Sequence, residues 1–298
     1  MFSGPRRVLL VDCGWSTPET QTVLSRALAC LGHGPDGVRL VLATHAHADH
    51  SGLAGWLQRC SAVVGMHPDD SVQLSERYGD SKEQLATTRQ WLVWAGVPED
   101  LRRDAERHIG AQSATFISVE PDLSLGDGER ILHGRFDLAI IHTPGHTPGS
   151  VCLHDQTTGT LFTGDTLFAR SMYSPTLRPF SSPDPMTEYL TSIDSLSRLQ
   201  VTVGLPGHGD PIHNVPARCA SAAAHHLNRA AEVARLVDTG STAWAVAARL
   251  PRRRAWDMLG MGPRLSAIGE VSAHLVRLQR QGHVAEVADG ATAVWRAT

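Results

Sequence analysis

Residues 38–60 read VRLVLATHAHADHSGLAGWLQRC, and positions 45–50 of that stretch hold three histidines and an aspartate: His45, His47, Asp49 and His50. Clustered imidazoles repel one another once protonated, and as neutral rings each still needs a polar partner. A His-rich surface loop is the plain alternative, but such tracts usually sit among charged or low-complexity residues. Here the cluster follows the apolar run VRLVLAT, which reads as a buried strand. It precedes SGLAGWLQRC, which reads as a small-residue helix with Ser51 as its N-cap. The four side chains therefore occupy a strand-to-helix turn at the carboxyl end of a strand, where ligand sites of α/β proteins are found.

Outward from this turn, strands and helices alternate. Residues 6–14 (RRVLLVDCG) read as a strand ending in a turn. A helix follows over 17–32, with Thr17 capping it, Pro18 in its first position and Gly32 at its end. Residues 61–67 are a short buried strand, and 68–110 are a polar, helical insertion in which Leu85, Trp91, Leu92 and Trp94 form a face that packs on the sheets. Strand-like runs fill 115–143, beginning with TFISVE and turning at GDGER, and a hairpin over 150–165 turns near Thr158 and Gly159. A helix over 186–199 leads to a strand that runs into the Gly-rich turn LPGHGD. The class is α/β with mixed sheets. Past residue 217 come three helices, the second capped by Ser241, and a hairpin around Asp289 and Gly290, the outline of a winged helix. Two domains are expected, 1–217 and 218–298.

Composition narrows the function. At 298 residues, one large domain with a small appendage is natural. A net charge of −3 argues against a protein built around phosphate-backbone binding. The five cysteines are dispersed without a CxxC pair, which fits reduced thiols in a cytosolic protein, with Cys13 and Cys152 as small core residues. No run reaches membrane-spanning length and the N-terminus lacks a cleavage signature, so a cytoplasmic location is expected.

Three further turns offer ligand-type side chains after apolar strands: His146 in HTPGHTPGS, Asp165 in LFTGDT and His208 in LPGHGD. Taken alone, each is more readily a hydrogen-bonded structural residue. Their joint placement with 45–50 gives four loops, each supplying an imidazole or a carboxylate, a donor set that suits zinc or iron better than magnesium or calcium.

In the order HAHADH, TPGHTPGS, FTGDTLF and PGHG, these motifs resemble the metallo-β-lactamase superfamily over about residues 6–216. The resemblance implies a four-layer αββα sandwich with a metal site along one edge of its two sheets. It implies that His45, His47 and His146 hold one metal ion, that Asp49, His50 and His208 hold a second, and that Asp165 bridges both. Asp49 and His50 are then catalytic residues as well as ligands. Two divalent ions are expected, zinc first, with iron or manganese as alternatives. A water shared between two such cations would lose its proton near neutral pH. Asp12 matches a family position that supports the ligand loop. The family also begins with more strand before VDCG than this chain offers, so an edge strand is expected to be short or missing.

PGHG followed by a winged-helix tail resembles the β-lactamase-like protein 2 branch, and FTGDTLF with TPGHTPGS resembles the hydroxyacylglutathione hydrolases. The expected function is hydrolysis of a thioester or related acyl substrate, small or carrier-linked. Single-stranded RNA cleavage and a mononuclear-iron, persulfide-dioxygenase-like reaction are the alternatives. Nucleic acid is not the favoured partner, because the third tail helix sets Glu270 among Arg264, Arg277 and Arg280. No membrane partner is expected, and a homodimer is compatible with the sequence. Arg170, Tyr173 and Arg178 follow Asp165 and are candidate substrate contacts.

Overall fold

The computed structural model describes residues 2–4, 7–78, 81–113, 119–238 and 240–298. One sheet has the order β1 (Phe2–Gly4), β2 (Arg7–Val11), β3 (Val38–Leu42), β4 (Val63–Met66), β5 (Leu123–Ser124). Strands β2 to β5 are parallel, and β1 pairs antiparallel with β2. An edge strand of three residues is therefore present ahead of VDCG, where a short or missing one was expected. The second sheet has the order β10 (Val203–Pro206), β9 (Thr160–Gly164), β8 (Val151–Asp155), β7 (Phe136–His142), β6 (Arg130–His133). It is antiparallel except for the β9–β10 pair.

Period-two alternation builds the layers. Leu9 and Leu42 point inward to meet Leu138, Ile140, Val151 and Leu153 of the second sheet. Val8, Leu10 and Val41 point outward against Leu28 of α1 (Pro18–Cys30), near the Ala48–Ser51 turn α2, and against Leu57 of α3 (Ala54–Arg59). After the α4 (Pro68–Tyr78), α5 (Ser81–Trp94) and α6 (Glu99–Ser113) insertion, the outer face of the second sheet meets α7 (Pro185–Ser197) and the start of α8 (Val215–Leu236). There Cys152 and Leu161 pack on Tyr189, Ile193 and Cys219. This is an αββα sandwich.

The chain closes with α9 (Ala243–Arg249), α10 (Met261–Arg280) and the hairpin β11 (Val284–Asp289)–β12 (Thr292–Ala297). Their core is shared with the insertion: Trp91, Leu92 and Ala105 join Val233, Val246, Ile268 and Trp295 in one cluster. Trp91 and Trp94 thus pack on the C-terminal helices and hairpin and not on the sheets. The indole of Trp94 meets that of Trp295 edge-on, with centroids 6.2 Å apart. Amphipathicity shows that a helix has a buried face but not what covers it.

Other local expectations also shift. Ser51 does not cap a helix: the helical turn opens earlier, at Ala48, and the Ser51 hydroxyl donates back to the carbonyls of Ala46 and His47. Thr242, not Ser241, caps α9 by accepting from the Ala245 amide, while Ser241 donates to Asp238. GDGER leads into β6, and the hairpin itself turns at Gly134 and Arg135. Most of the expected strand TFISVE lies outside the described residues. Among the described residues, no helix is long and apolar enough to cross a membrane.

The core of the C-terminal region also holds a histidine. His274 of α10 is fully buried, its ring centroid 6.0 Å from that of His226 on α8, and neither of its ring nitrogens has a hydrogen-bond partner among the described residues. Burial, reinforced by the nearby His226 and Arg229, pushes its pKa down to about 3. Unfolded, the same ring titrates near 6.5. Between these values the unfolded chain binds the extra proton, so stability is intact above about pH 6.5 and falls as the pH drops toward 3. For this group the loss between pH 7 and pH 5 is about 2 kcal/mol. Urea unfolding of the H274L variant should lose about 2 kcal/mol less than the parent over that interval. Equal losses would contradict the assignment.

Candidate metal centre

Strands β2, β3, β4, β7, β9 and β10 all present their carboxyl ends to one edge of the sandwich, and the loops that leave them meet there. The Val151 amide donates to the Thr44 carbonyl at 2.8 Å and stitches the two sheets together at this edge. Gly164, at φ +47°, lets the seam close, because a Cβ on it would lie 2.7 Å from Thr44 Oγ1.

Two groups of donors converge on this edge. His45 Nε2 lies 3.0 Å from His47 Nδ1 and 3.0 Å from His146 Nε2, and the last two are 2.8 Å apart. Beside them, His208 Nε2 is 3.2 Å from both His50 Nε2 and Asp49 Oδ2, and His50 Nε2 is 3.7 Å from Asp49 Oδ2. Asp165 stands between the groups. Its Oδ2 is 3.6 Å from His146 Nε2, while its Oδ1 is 3.3 Å from His50 Nε2 and 3.7 Å from His208 Nε2. All seven residues singled out in the sequence are brought together.

The hydrogen bonds behind the rings fix which nitrogens face inward. Asp12 Oδ2 is 2.7 Å from His50 Nδ1 and also accepts from Thr44 Oγ1 at 2.9 Å. The Thr44 oxygen, its proton committed to Asp12, is left to accept from His45 Nδ1 at 3.0 Å. His45 and His50 thus each donate through Nδ1 and turn a bare Nε2 lone pair into the centre, the arrangement of metal-binding histidines. Three imidazole nitrogens at such separations cannot satisfy one another by hydrogen bonding alone, whereas one cation can accept all three lone pairs. The nitrogen and carboxylate set fits zinc, iron or manganese.

The electrostatics agree with a cation site. Burial works against the charged form of His50, yet the hydrogen bonds and charges of Asp12 and Asp165 outweigh it and push the pKa up to about 10. Burial likewise tends to raise the Asp165 pKa, but His50 and the neighbouring imidazoles win and hold this carboxyl below the usual carboxylate range. A cation held by His50 Nε2 would have to displace that proton.

A further carboxylate of the centre escaped the sequence reading. Asp70 is fully buried at the start of α4 and accepts from the Ala46 amide at 2.6 Å, the Thr147 hydroxyl at 2.7 Å and the Gly149 amide at 2.7 Å. It ties the His45–His47 loop to the His146 loop. The only signal was its position just after a strand, in HPDD. His142, at the end of β7 and four residues before His146, stands outside both donor groups. Its ring stacks on that of His67 at 4.1 Å, and its Nε2 lies 2.7 Å from the Pro148 carbonyl oxygen.

Gly207 marks how tightly the second group is packed. A Cβ there would sit 2.5 Å from His50 Cε1 and 2.7 Å from Asp165 Oδ1. G207A should therefore bind divalent cations about tenfold or more weakly than the parent. Titration of both proteins with zinc checks this, and equal affinity would contradict it.

The donors open into a cleft of about 960 Å³, lined by Trp15, Phe168 and Tyr173 and also by Trp91, Ile109 and Leu265. Tyr173 lies with its ring 4.5 Å from that of His146, and Arg178 lines the same cleft. Arg170 does not line it. Its side chain is almost fully exposed and pairs with Asp210 at 3.0 Å, so closeness in sequence to Asp165 did not bring it to the cleft.

A sandwich of this layering with these four loops defines a metallo-hydrolase-type protein, and the family model "Metallo-beta-lactamase superfamily" matches residues 2–208: the chain belongs to that superfamily. It is 29% identical over 233 residues to the "Probable metallo-hydrolase YqjP" of Bacillus subtilis, covering 77% of this chain and 72% of that one. It is 32% identical over 216 residues to the "Acyl-coenzyme A thioesterase MBLAC2" of Gallus gallus, covering 70% of each. The crystal structure of the metallo-beta-lactamase family protein TTHA1429 from Thermus thermophilus superposes with a TM-score of 0.84 at 27% identity, over 99% of this chain and 91% of that one.

Proposed function

We propose that the protein is a dinuclear metal-dependent hydrolase of acyl thioesters. In this reading His45, His47 and His146 hold one divalent ion, and Asp49, His50 and His208 hold the other. Asp165 bridges the two, and residues 1–217 form the catalytic unit. The observation that carries the reading is Asp165, which turns one carboxylate oxygen toward each donor group at the floor of a largely apolar cleft. The kinship with a protein named as an acyl-coenzyme A thioesterase supports the acyl substrate class.

When bound, the two ions would supply a nucleophilic oxygen at neutral pH and polarise the acyl carbonyl. The chain's own residues do the rest. Asp12 holds His50, and through Thr44 also His45, in fixed tautomers. Tyr173 covers the His146 ring, and Trp15 and Phe168 form the cleft wall beside the centre, limiting the access of bulk water. A thiol, with a pKa of about 8.5, departs as thiolate far more readily than an alcohol does as alkoxide, so a thioester places little demand on a proton donor.

The RNA-cleaving alternative is weakened by the arginines of α10. Arg264 donates to the carbonyls of Trp256 and Asp257, Arg277 donates to Gln281, and Arg280 pairs with Asp184 at 3.0 Å. These side chains are engaged within the protein rather than arrayed for phosphates. The deciding experiment offers metal-replete protein a series of acyl-coenzyme A thioesters and follows free thiol. Hydrolysis that stops on chelation and returns with zinc or manganese is expected. No release from any thioester would end this reading.

A further inference from the structure

One wall of the cleft is made by the insertion and the C-terminal region, not by the sandwich. Trp91 comes from α5, Ile109 from α6, and Leu265 and Ala267 from α10. This wall is fastened to the catalytic part at three points. The Trp91 indole donates to the Leu177 carbonyl at 3.0 Å, the Leu177 amide donates to the carbonyl of Gly269 in α10 at 2.9 Å, and Arg178 donates to Ser266 Oγ at 3.0 Å. Gly269 permits the approach, since a Cβ there would lie 2.9 Å from Thr176 Cβ.

These bonds also decide what the wall can offer a ligand. With its N–H committed to Leu177, Trp91 turns only carbon toward the cleft, alongside the aliphatic side chains of Ile109, Leu265 and Ala267. The metal donors and this apolar wall border one continuous space. Ser266, Glu270 and Arg178 also line this part of the cleft, and Arg178 donates to Ser266 at 3.0 Å. A thioester whose carbonyl sits at the donors can direct its acyl chain toward α10, where the carbon surfaces of Trp91, Ile109, Leu265 and Ala267 can cover it.

We infer that the compartment bounded by Trp91, Ile109, Leu265 and Ala267 receives the acyl chain, so that the insertion and α10 set the chain length the enzyme accepts. The inference rests on the thioester reading above and adds to it the preferred substrate, a straight, unsubstituted chain. Each methylene moved from water into such a wall improves kcat/KM by up to about fourfold until the compartment is full.

Ala267 is the position to change. It is partly buried, packed against the C-terminal core on one side and lining the cleft on the other, so a larger side chain there takes up cleft space. The experiment measures kcat/KM for butanoyl-, octanoyl- and dodecanoyl-coenzyme A with the metal-replete parent and A267W. In the parent, the dodecanoyl to butanoyl ratio should be at least about tenfold, and A267W should lower it by about 30-fold or more. A267L serves the same purpose with a smaller drop if A267W does not accumulate as folded protein. A parent ratio near unity, or a ratio unmoved by the substitution, overturns the inference while leaving the thioesterase reading intact. If the parent cleaves no thioester, that reading fails, and calorimetry with sodium dodecanoate then decides the compartment. Binding weakened by A267W supports an apolar-chain site, and no binding to the parent overturns it.

Discussion

Replacing His47 with alanine is expected to lower kcat/KM by at least about 10³-fold and to cost one of two bound metal ions, with little change in stability. His47 Nδ1 closes the triangle with His45 Nε2 and His146 Nε2, and no other nitrogen or carboxylate among the described residues stands in that position. Losing it leaves two imidazoles and the Asp165 oxygen shared with the other donor group, one ligand fewer than the closed set that would hold a divalent ion firmly. A 10³-fold loss corresponds to about 4 kcal/mol of transition-state stabilisation, within the range for removing a group that acts on the reacting centre. His47 is partly exposed and contributes little to the core, so the thermal midpoint of the metal-free protein should move only slightly. Metal content by elemental analysis, read beside the kinetics, separates lost metal from lost fold. A variant with parental turnover would refute the assignment of His47.

Asp70 is expected to produce the largest effect on stability. In D70A the Ala46 amide, the Thr147 hydroxyl and the Gly149 amide keep their positions, but each loses the carboxylate that accepts from it. The Thr147 hydroxyl can turn to Ser150 Oγ at 2.7 Å, which leaves the two amides unsatisfied; at about 1–3 kcal/mol for each, the variant should be less stable by about 2–6 kcal/mol. Because the same carboxylate joins the His45–His47 loop to the His146 loop, metal affinity should fall as well, although Asp70 is not among the seven converging donors. D70N keeps one acceptor and should lie between the two. Urea denaturation of the parent and both variants, with and without added zinc, tests this. A D70A protein within about 0.5 kcal/mol of the parent would contradict it.

The contrast between these two residues shows how much of the protein could be read beforehand. The loops that bring the seven candidate donors together were legible because each donor stands in a short turn directly after an apolar strand, with glycines and prolines marking several of the turns. The alternation of strands and helices, joined to the resemblance of four motifs, then gave the layered fold. Asp70 was not legible. It acts on backbone amides 24 and 79 residues away, and nothing in a local pattern marks such a bond.

The same limit explains the misplaced details. Arg170 lies five positions beyond Asp165 in sequence, yet its side chain leaves the cleft because Asp210 offers it an exposed partner. The helix that carries Trp91 and Trp94 was correctly given a buried face, but the covering partner is the C-terminal region, far along the chain. Serine favours the cap position, which makes Ser51 and Ser241 the expected caps. The helical turn beginning at Ala48 and the neighbouring Thr242 show that the backbone chose otherwise.

The central claim is that two cations are held side by side, sharing Asp165. Anomalous diffraction from crystals of metal-replete protein, collected at the absorption edge of the bound metal, tests it most directly. Two peaks are predicted, one ligated by His45, His47 and His146 and one by Asp49, His50 and His208, with a separate oxygen of Asp165 directed at each. A single peak, or His208 turned away from Asp49 and His50, would contradict the account.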